Sequence, residues 1–454
     1  MFGTLWIAFK KMGEFRRNEK LSRAEFEAMK LKKFRQLVRY ANERSSYYAD
    51  IIKERGINLD SCVPEDFPVL TKSILMANFD RIVTDKRISK QGIADFLTRS
   101  TNPAEQFQDE FSVLHTSGSS GEVGYFVYSP NDWARGMANG PPSRQVQKRE
   151  PFKRKRRGKF NFAFYGAIGG HFAGVSMATS AMRGLGRWFV NVRTFEINTP
   201  LPETLAGLNA FQPEFLAGYT TALKILAIKQ QEGVLKIAPL MINAGGEGMT
   251  PADRALLETA FHCEVVSGYG CTEHLMMGTS NPDGTTMTLY DDDLIYEFFD
   301  DHSLVSNLFN YTLPLIRYRM SDILRPIAQA NPKSPHIVIN SLVGRTEKVP
   351  MFKNRDGVED FISPHTINEI FVAGVVRFQM RLIDKTRFQF AVILDAALNA
   401  KQRLEAVAAT ARRLREVLDQ KQMGNVTFEV TPVEDLPLDV RTRKFRLIVD
   451  ALAA

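Results

Sequence analysis

Cysteine is scarce in this 454-residue chain. Cys62, Cys263 and Cys271 are its 3 thiols, and no two of them form a CxxC pair. A disulfide framework and a four-ligand structural zinc site therefore find no support, and a reducing, cytoplasmic setting is expected. Long apolar runs are missing too: nothing approaches the ~18 consecutive residues of a membrane-crossing helix. The opening MFGTLWIAFKKMGEFRRNEK carries its basic residues after a short apolar patch and lacks a small-residue cleavage site, so it does not read as a secretory signal. No internal repeat is visible. Acidic residues are in slight deficit, 51 against 59 lysines and arginines for a formal charge of +8, which favours anionic ligands only weakly.

What is present is an ordinary globular balance, 44% apolar and 24% charged, in a chain long enough for two or three domains. From about Ser22 to Arg55, residues such as Phe26, Met29, Phe34, Leu37, Val38 and Ala41 recur at helical spacing among lysines and arginines, predicting an amphipathic helical opening. Pro64 and Pro68 end that pattern. The apolar run Phe111 to Leu114 then predicts a strand that runs into HTSGSSGEVG, His115 to Gly124. Its glycines let successive N–H groups face one point, and Thr116, Ser117, Ser119 and Ser120 add hydroxyls. Two readings stand at this point: a loop that holds phosphate oxygens, or a Ser/Gly surface turn. The segment lacks the Gly-Lys-Ser/Thr ending of a P-loop.

Between Asn131 and Phe160 the chain is polar and holds the basic run Lys153 to Arg157. Without interleaved aromatics for base stacking, that run reads as a solvated loop, and no nucleic-acid partner is expected. From Phe160 onward, FNFAFYGA, GGHFAGVSMATSAM, WFVNVRTFEI, TLAGLNAF, FLAGYT, TALKILAIKQQEG, PLMINAGGE, ADRALLETAF and CEVVSGYG follow one another. The βαβα rhythm predicts a largely parallel sheet covered by helices, with ligands beyond the carboxyl ends of its strands. Strand ends near Gly118, Gly166, Gly245 and Gly268 are expected to converge on one crevice. Past Asp322 the pattern changes to a small α+β unit, with helix over Ser363 to Phe371, strands over Arg377 to Ile383 and Gln389 to Leu394, helix over Lys401 to Asp419 and a strand near Val426 to Val430. A large α/β unit followed by a small α+β unit is expected; the bounds 1–346 and 347–454, and the mobility of the second unit, follow from the resemblance given next.

Three further segments join the opening loop: YGCTE at Tyr269 to Glu273, PLIRYRMSDI at Pro314 to Ile323, and GRTEKV at Gly344 to Val349. With FPVLTKSIL, the GGE of Gly245 to Glu247 and the terminal TRKFRLIV, they resemble, in order and spacing, the motifs of adenylate-forming enzymes, most closely the phenylacetate–CoA ligase branch with its capsule-biosynthesis-type relatives. The resemblance covers nearly the whole chain. It implies an AMP-forming acid–thiol ligase that uses ATP and Mg2+ to make an acyl-adenylate, releases pyrophosphate and passes the acyl group to CoA. It also tips the opening loop toward the phosphate cradle.

Residue by residue, the resemblance implies that Thr116, Ser117, Gly118, Ser119, Ser120 and Gly121 cradle the β- and γ-phosphates. Thr272 would contact the α-phosphate and Glu273 would hold Mg2+, a hard cation suited to a carboxylate plus phosphate oxygens. Gly245, Gly246 and Glu247 would line the adenine, and Tyr269, next to Gly270, would stack on it. Asp322 would accept from the ribose hydroxyls, with Arg345 on ribose or phosphate and Lys444 stabilising charge during adenylation. The acyl pocket would be built from Phe164, Tyr165, Ile168, Gly169, Gly170, His171, Phe172, Tyr219 and Met276, an apolar and partly aromatic lining suited to an aryl or hydrophobic acid. Neither His171 nor His274 is given a catalytic role, because a carboxylate substrate is already ionised near neutral pH.

Three positions depart from the family pattern. Glu122 stands where relatives carry lysine, Arg443 where a glycine precedes the catalytic lysine, and Glu347 where the hinge is mostly aspartate. Two alternatives to a CoA ligase follow: transfer of the acyl group to an amine, a hydroxyl or a carrier-protein thiol, or a nucleotide-binding protein without turnover. A homodimer is compatible with the sequence.

Overall fold

The computed structural model describes residues 2–116, 123–139, 158–183, 185–320, 322–328, 334–340, 349–370, 372–437 and 445–450. Strands β1 (Ser112–His115) and β2 (Tyr125–Tyr128) pair antiparallel from Ser112 with Tyr128 to His115 with Tyr125. The Ser/Gly segment is thus the connection of a hairpin.

The dominant sheet has eight strands. β3 (Phe160–Gly166), β4 (Val190–Glu196), β5 (Phe215–Tyr219), β6 (Met241–Gly245) and β7 (Glu264–Cys271) are parallel neighbours in the order β4-β3-β5-β6-β7. β8 (Leu275–Ser280) and β9 (Thr286–Leu289) continue the sheet antiparallel. Both faces of the parallel part are covered, which is why its strands read as near-continuous apolar runs. Ala163, Tyr165, Leu216 and Ile242 pack with Leu205, Leu208, Leu223 and Leu226 of the helices Leu201–Phe211 and Thr220–Gln231. On the other face Phe164 and Ala217 meet Val175 and Ala178 of the helix Ala173–Ser180.

A second core joins the N-terminal helices to β10 (Leu294–Phe298), β11 (Ser303–Asn307) and β12 (Tyr318–Met320) and includes Phe34, Leu37, Leu114, Tyr269 and Tyr318. β13 (Val338–Asn340) closes the large sheet beside β9. Beyond it lie the hairpin β14 (Met351–Lys353) and β15 (Glu359–Phe361) and a four-stranded sheet of β16 (Val375–Asp384), β17 (Arg387–Leu394), β18 (Thr427–Pro432) and β19 (Ile448–Asp450). The helix Ala400–Gln420 covers this sheet around a core of its own that includes Met380, Phe388, Phe390, Leu414 and Val426. The chain is therefore α/β with a separate small α+β unit, and the expected boundary at 346 falls outside the described residues.

Four differences from the sequence reading have physical causes. The helical opening divides at Ser45, which caps the helix Ser46–Arg55 and breaks the pattern of Arg23–Arg44. The stretch after Asn131 is not all loop. Pro130–Ala138 is a helix begun by a Ser129/Asp132 capping box and a proline at its first turn. In the small unit, the helix read over Ser363 to Phe371 spans only Pro364–Asn368. The N-terminal segment, read only as an apolar patch, is a helix over Phe2–Asn18, and what holds it is ionic.

Asp291, Asp292 and Asp293 are all at most 1% exposed. Asp293 is bridged by Lys11 and by Lys33 at 2.7 Å, Asp292 accepts from Asn18 at 2.9 Å, and Asp291 faces His336 at 2.8 Å and Lys30 at 3.6 Å. Burial pushes the Asp293 carboxyl up, but the two lysines outweigh it and hold the carboxyl far below the ordinary range. Its folded pKa is depressed, so its stabilisation is present above the unfolded value near 3.9 and is lost as pH falls below that. Asp293→Ala should destabilise the fold by about 3–5 kcal/mol, because it leaves the buried Lys11 and the half-buried Lys33 with only Glu14 as a shared partner. Denaturant unfolding at pH 7 and pH 3.5 checks this: the wild type should lose stability on acidification, and the variant should lose less.

Candidate functional site

Because β3, β5, β6 and β7 are parallel, Gly166, Tyr219, Gly245 and Cys271 end them on one rim of the sheet. The chain steps from β3 outward to β4, then crosses back to β5, so the winding direction reverses between β3 and β5. Such a reversal opens a crevice for ligands at the carboxyl ends. Tyr219 sits there. Its hydroxyl accepts from Ala167 N at 3.3 Å. A Cβ on Gly246 would lie 3.0 Å from its ring and one on Gly166 3.3 Å from it, so both glycines let the tyrosine close against backbone. Gly246 also has φ +73°, a conformation natural to glycine.

Glu247 follows on the same turn and accepts from Thr221 N at 2.8 Å and Thr221 Oγ1 at 3.0 Å. Gly245 leaves its face open: a Cβ there would meet only Gly268 O, at 3.7 Å.

Tyr269, in β7, donates its hydroxyl to Asp322 Oδ2 at 2.9 Å. The tyrosine and aspartate that the sequence placed on adenine and ribose are thereby joined, with Asp322 exposed at the rim. Gly270 is required for the turn that follows, since a Cβ would lie 2.5 Å from Leu275 O. Thr272 is fixed through its carbonyl, which accepts from Tyr128 at 2.7 Å. The half-buried Glu273 lies 3.4 Å from the Tyr318 hydroxyl. Burial raises its pKa, while Lys72 pulls it down and Asp322 raises it further. Lys72 is a site residue that the sequence reading gave no role, although it is the lysine of FPVLTKSIL. It opens the helix Lys72–Ala77, capped by Thr71 Oγ1 accepting from Ile74 N.

For the metal implied by the resemblance, no group of three or more His, Cys, Asp or Glu suited to a cation occurs among the described residues. One carboxylate, Glu273, fits a magnesium ion that takes its other oxygens from phosphate and water rather than from a protein cage.

The neck of the Ser/Gly segment is closed by Thr116, whose N–H donates to Gly124 O at 3.0 Å and whose hydroxyl accepts from Gly124 N at 2.9 Å. Ser117, Gly118, Ser119, Ser120, Gly121 and Glu122 lie outside the described residues, as do Arg345, Glu347, Arg443, Lys444 and the run Lys153 to Arg157.

The expected acyl lining is only partly brought together. Phe164 and Tyr165 are consecutive in β3 and face opposite sides. Tyr165 is fully buried in the core beneath the helices Leu201–Phe211 and Thr220–Gln231, so it is a packing residue rather than a pocket wall. His171 is 1% exposed, bonded through Nε2 to Ser100 Oγ at 3.2 Å and set against Phe96. Burial lowers it to about 4, and it lowers the wholly buried His274 to about 3, so both are neutral at pH 7. Gly169 and Gly170 lie in the turn after β3, where a Cβ on Gly170 would come 3.3 Å from His115 Nε2. Phe164, Phe172, Tyr219 and Met276 remain around the rim, with Met276 approaching Gly268.

No family model matches the chain. Among curated proteins, Protein CapK of Staphylococcus aureus is 23% identical over 329 residues, 69% of this chain and 66% of that protein, so just under two thirds of the relative's length is spanned. Among solved structures, 2-hydroxyisobutyryl-CoA ligase with 2-HIB-AMP and CoA in its thioesterification state superposes at a TM-score of 0.58 with 18% identity, over 96% of this chain and 91% of that one. The same enzyme in its postadenylation state with R3-HIB-AMP gives 0.54 with 17% identity over the same shares.

If Asp322 holds a ribose, Asp322→Ala should weaken AMP binding by about tenfold or more, the worth of hydrogen bonds to a charged acceptor. Tyr269→Phe should cost less in that contact, because its hydroxyl serves only to orient the carboxylate. Calorimetric titration with AMP checks both, and equal affinity in Asp322→Ala and wild type would contradict the assignment.

Proposed function

We propose that this chain, whose fold is that of the adenylate-forming enzymes, activates a carboxylic acid with ATP to an acyl-adenylate and then transfers the acyl group to an acceptor. The observation that carries the reading is the rim itself. Gly245 to Glu247, the Tyr269–Asp322 pair and Glu273 with Lys72 nearby stand together at the carboxyl ends of parallel strands, beside the hairpin whose connection is the Ser/Gly segment.

In this reading the base lies on Gly245 and Gly246, and Asp322 receives the ribose hydroxyls. Thr272 and the connection after Thr116 hold phosphate oxygens through N–H and hydroxyl groups. Glu273 holds magnesium, which neutralises phosphate charge when bound. The acid's carboxylate attacks the α-phosphorus, a P–O bond forms, the bond to the pyrophosphate oxygen breaks, and pyrophosphate leaves. Two anions must be held together for this step, so the protein's contribution is placement and positive charge. Lys444 supplies that charge from the C-terminal unit, and residues 347–454 are the part that reorients between the two half-reactions. 2-Hydroxyisobutyryl-CoA ligase, with its acyl-AMP and CoA, is the model for this sequence of events, and CoA is the first acceptor to test.

A pyrophosphate-release assay across aryl, hydroxy and aliphatic acids tests the reading. At least one acid should stimulate release from ATP and magnesium, and folded protein that releases none with any acid would overturn it. Lys444→Ala should slow pyrophosphate release by about 100-fold, the scale of losing one transition-state charge contact. Its effect on acyl transfer from supplied acyl-adenylate should be much smaller, and equal losses in the two steps would contradict the role.

A further inference from the structure

The C-terminal unit brings two titratable side chains to the same rim. The helix Pro364–Asn368 follows β15 and is capped by Ser363, whose Oγ accepts from His365 N at 3.2 Å. The His365 ring lies on Tyr219, with centroids 4.3 Å apart and planes inclined at 47°. Its Nε2 is 2.7 Å from Glu369 Oε1. The carboxylate thus fixes the tautomer and leaves Nδ1 as the nitrogen able to take a proton.

This placement is secured by contacts between the units. Asp360 Oδ2 accepts from Leu201 N at 2.8 Å, and Thr366 Oγ1 donates to Asn198 Oδ1 at 3.2 Å. Lys421, buried over the Phe361 ring, donates to Thr199 O at 3.0 Å and pairs with Asp360 at 2.9 Å. His365 is therefore held against the residue that ends β5, where the winding of the sheet reverses.

We propose that His365 and Glu369 form a proton-accepting pair for the second half-reaction, and that the acceptor they serve is a primary amine. The inference rests on the adenylating reading of the same rim and specifies its acceptor. An ammonium drawn to the site first releases one proton to solvent; the neutral amine then attacks the acyl carbon, the C–N bond forms, and the bond to the phosphate oxygen breaks with AMP leaving on the electron pair. The surplus proton on nitrogen passes to His365 Nδ1, and Glu369 stabilises the imidazolium.

The surroundings favour a cationic visitor. Glu369 bonds to the ring, Glu247 acts on it from the turn after β6, and Glu196, at the end of β4, acts on Glu369 and is bonded to Ile168 N at 2.8 Å. From β1, His115 feels Glu369 while burial keeps it neutral, and Tyr219 supplies the ring face. The lysines that reach this group, Lys224 acting on Glu247 and Lys421 acting on Glu196, are already paired with Asp253 and Asp360. Three carboxylates here attract an ammonium.

Burial lowers the His365 pKa, but the bond and charge of Glu369, with Glu247 behind it, carry it above its ordinary 6.5. The neutral ring is the accepting form, so at a fixed concentration of neutral amine transfer should rise with pH through that raised value and level off above it. Glu369→Gln should move the inflection to lower pH and reduce the plateau.

The test uses the full chain with an acid that gives pyrophosphate, and ethanolamine, glycinamide and glucosamine as amine probes beside CoA. The first-turnover pyrophosphate burst reads adenylation, and acyl product reads transfer. For His365→Asn, the ratio of amine transfer to burst should fall at least 30-fold and the pH inflection should vanish. An unchanged ratio with the inflection retained would overturn the proposal, as would transfer by the wild type to CoA but to none of the amines. Absence of pyrophosphate from the wild type would overturn the adenylating reading instead. The pair itself is then judged by NMR titration of the His365 Cε1 proton: a pKa at or below 6.5, unmoved by Glu369→Gln, would refute it.

Discussion

Everything in this molecule depends on parallel strands that must be buried on both faces. Covering β3, β5 and β6 from either side forces each connection to cross over as a helix, and the crossovers put all the strand carboxyl ends on one rim. Glycines at the rim are then a steric consequence. Gly166 and Gly246 admit the Tyr219 ring, and Gly270 admits the Leu275 carbonyl. Beside them Gly245 leaves a bare backbone surface at the same rim.

The sequence made much of this legible. The βαβα rhythm from Phe160 to Cys271 is the alternation observed, and the strands and long helix of the tail fall within two or three residues of their expected positions. Those segments are readable because their periodicity comes from burial in their own unit. What escaped notice depends on partners far along the chain. Asp291 to Asp293 look like a solvated acidic turn until Lys11, Lys30 and Lys33 are brought to them by the N-terminal helices. Within a strand, adjacent aromatics cannot share a face, and that is why Tyr165 went to the core while Phe164 stayed beside the helix Ala173–Ser180.

The site shows the same division. Tyr269, Glu273 and Asp322 were singled out because they sit in ordered motifs, and the structure joins the first to the third by a hydrogen bond and sets the second within the field of Lys72. His365 and Glu369 carried no signal, being an ordinary i,i+4 pair spanning a short helix and its C-cap. Their meaning comes only from the seating of the small unit, where the buried Lys421 and Asp360 hold the helix Pro364–Asn368 over Tyr219. The small unit is fastened to the large one by these buried polar contacts, so releasing it would carry a cost.

The central claim is that the rim between β3 and β7 receives an adenylate. A crystal structure of the full chain with AMP tests it most directly. The account predicts the adenine on Gly245 and Gly246, the ribose hydroxyls within hydrogen-bond reach of Asp322, and the phosphate toward Thr272. AMP bound anywhere else, with that rim empty, would contradict it.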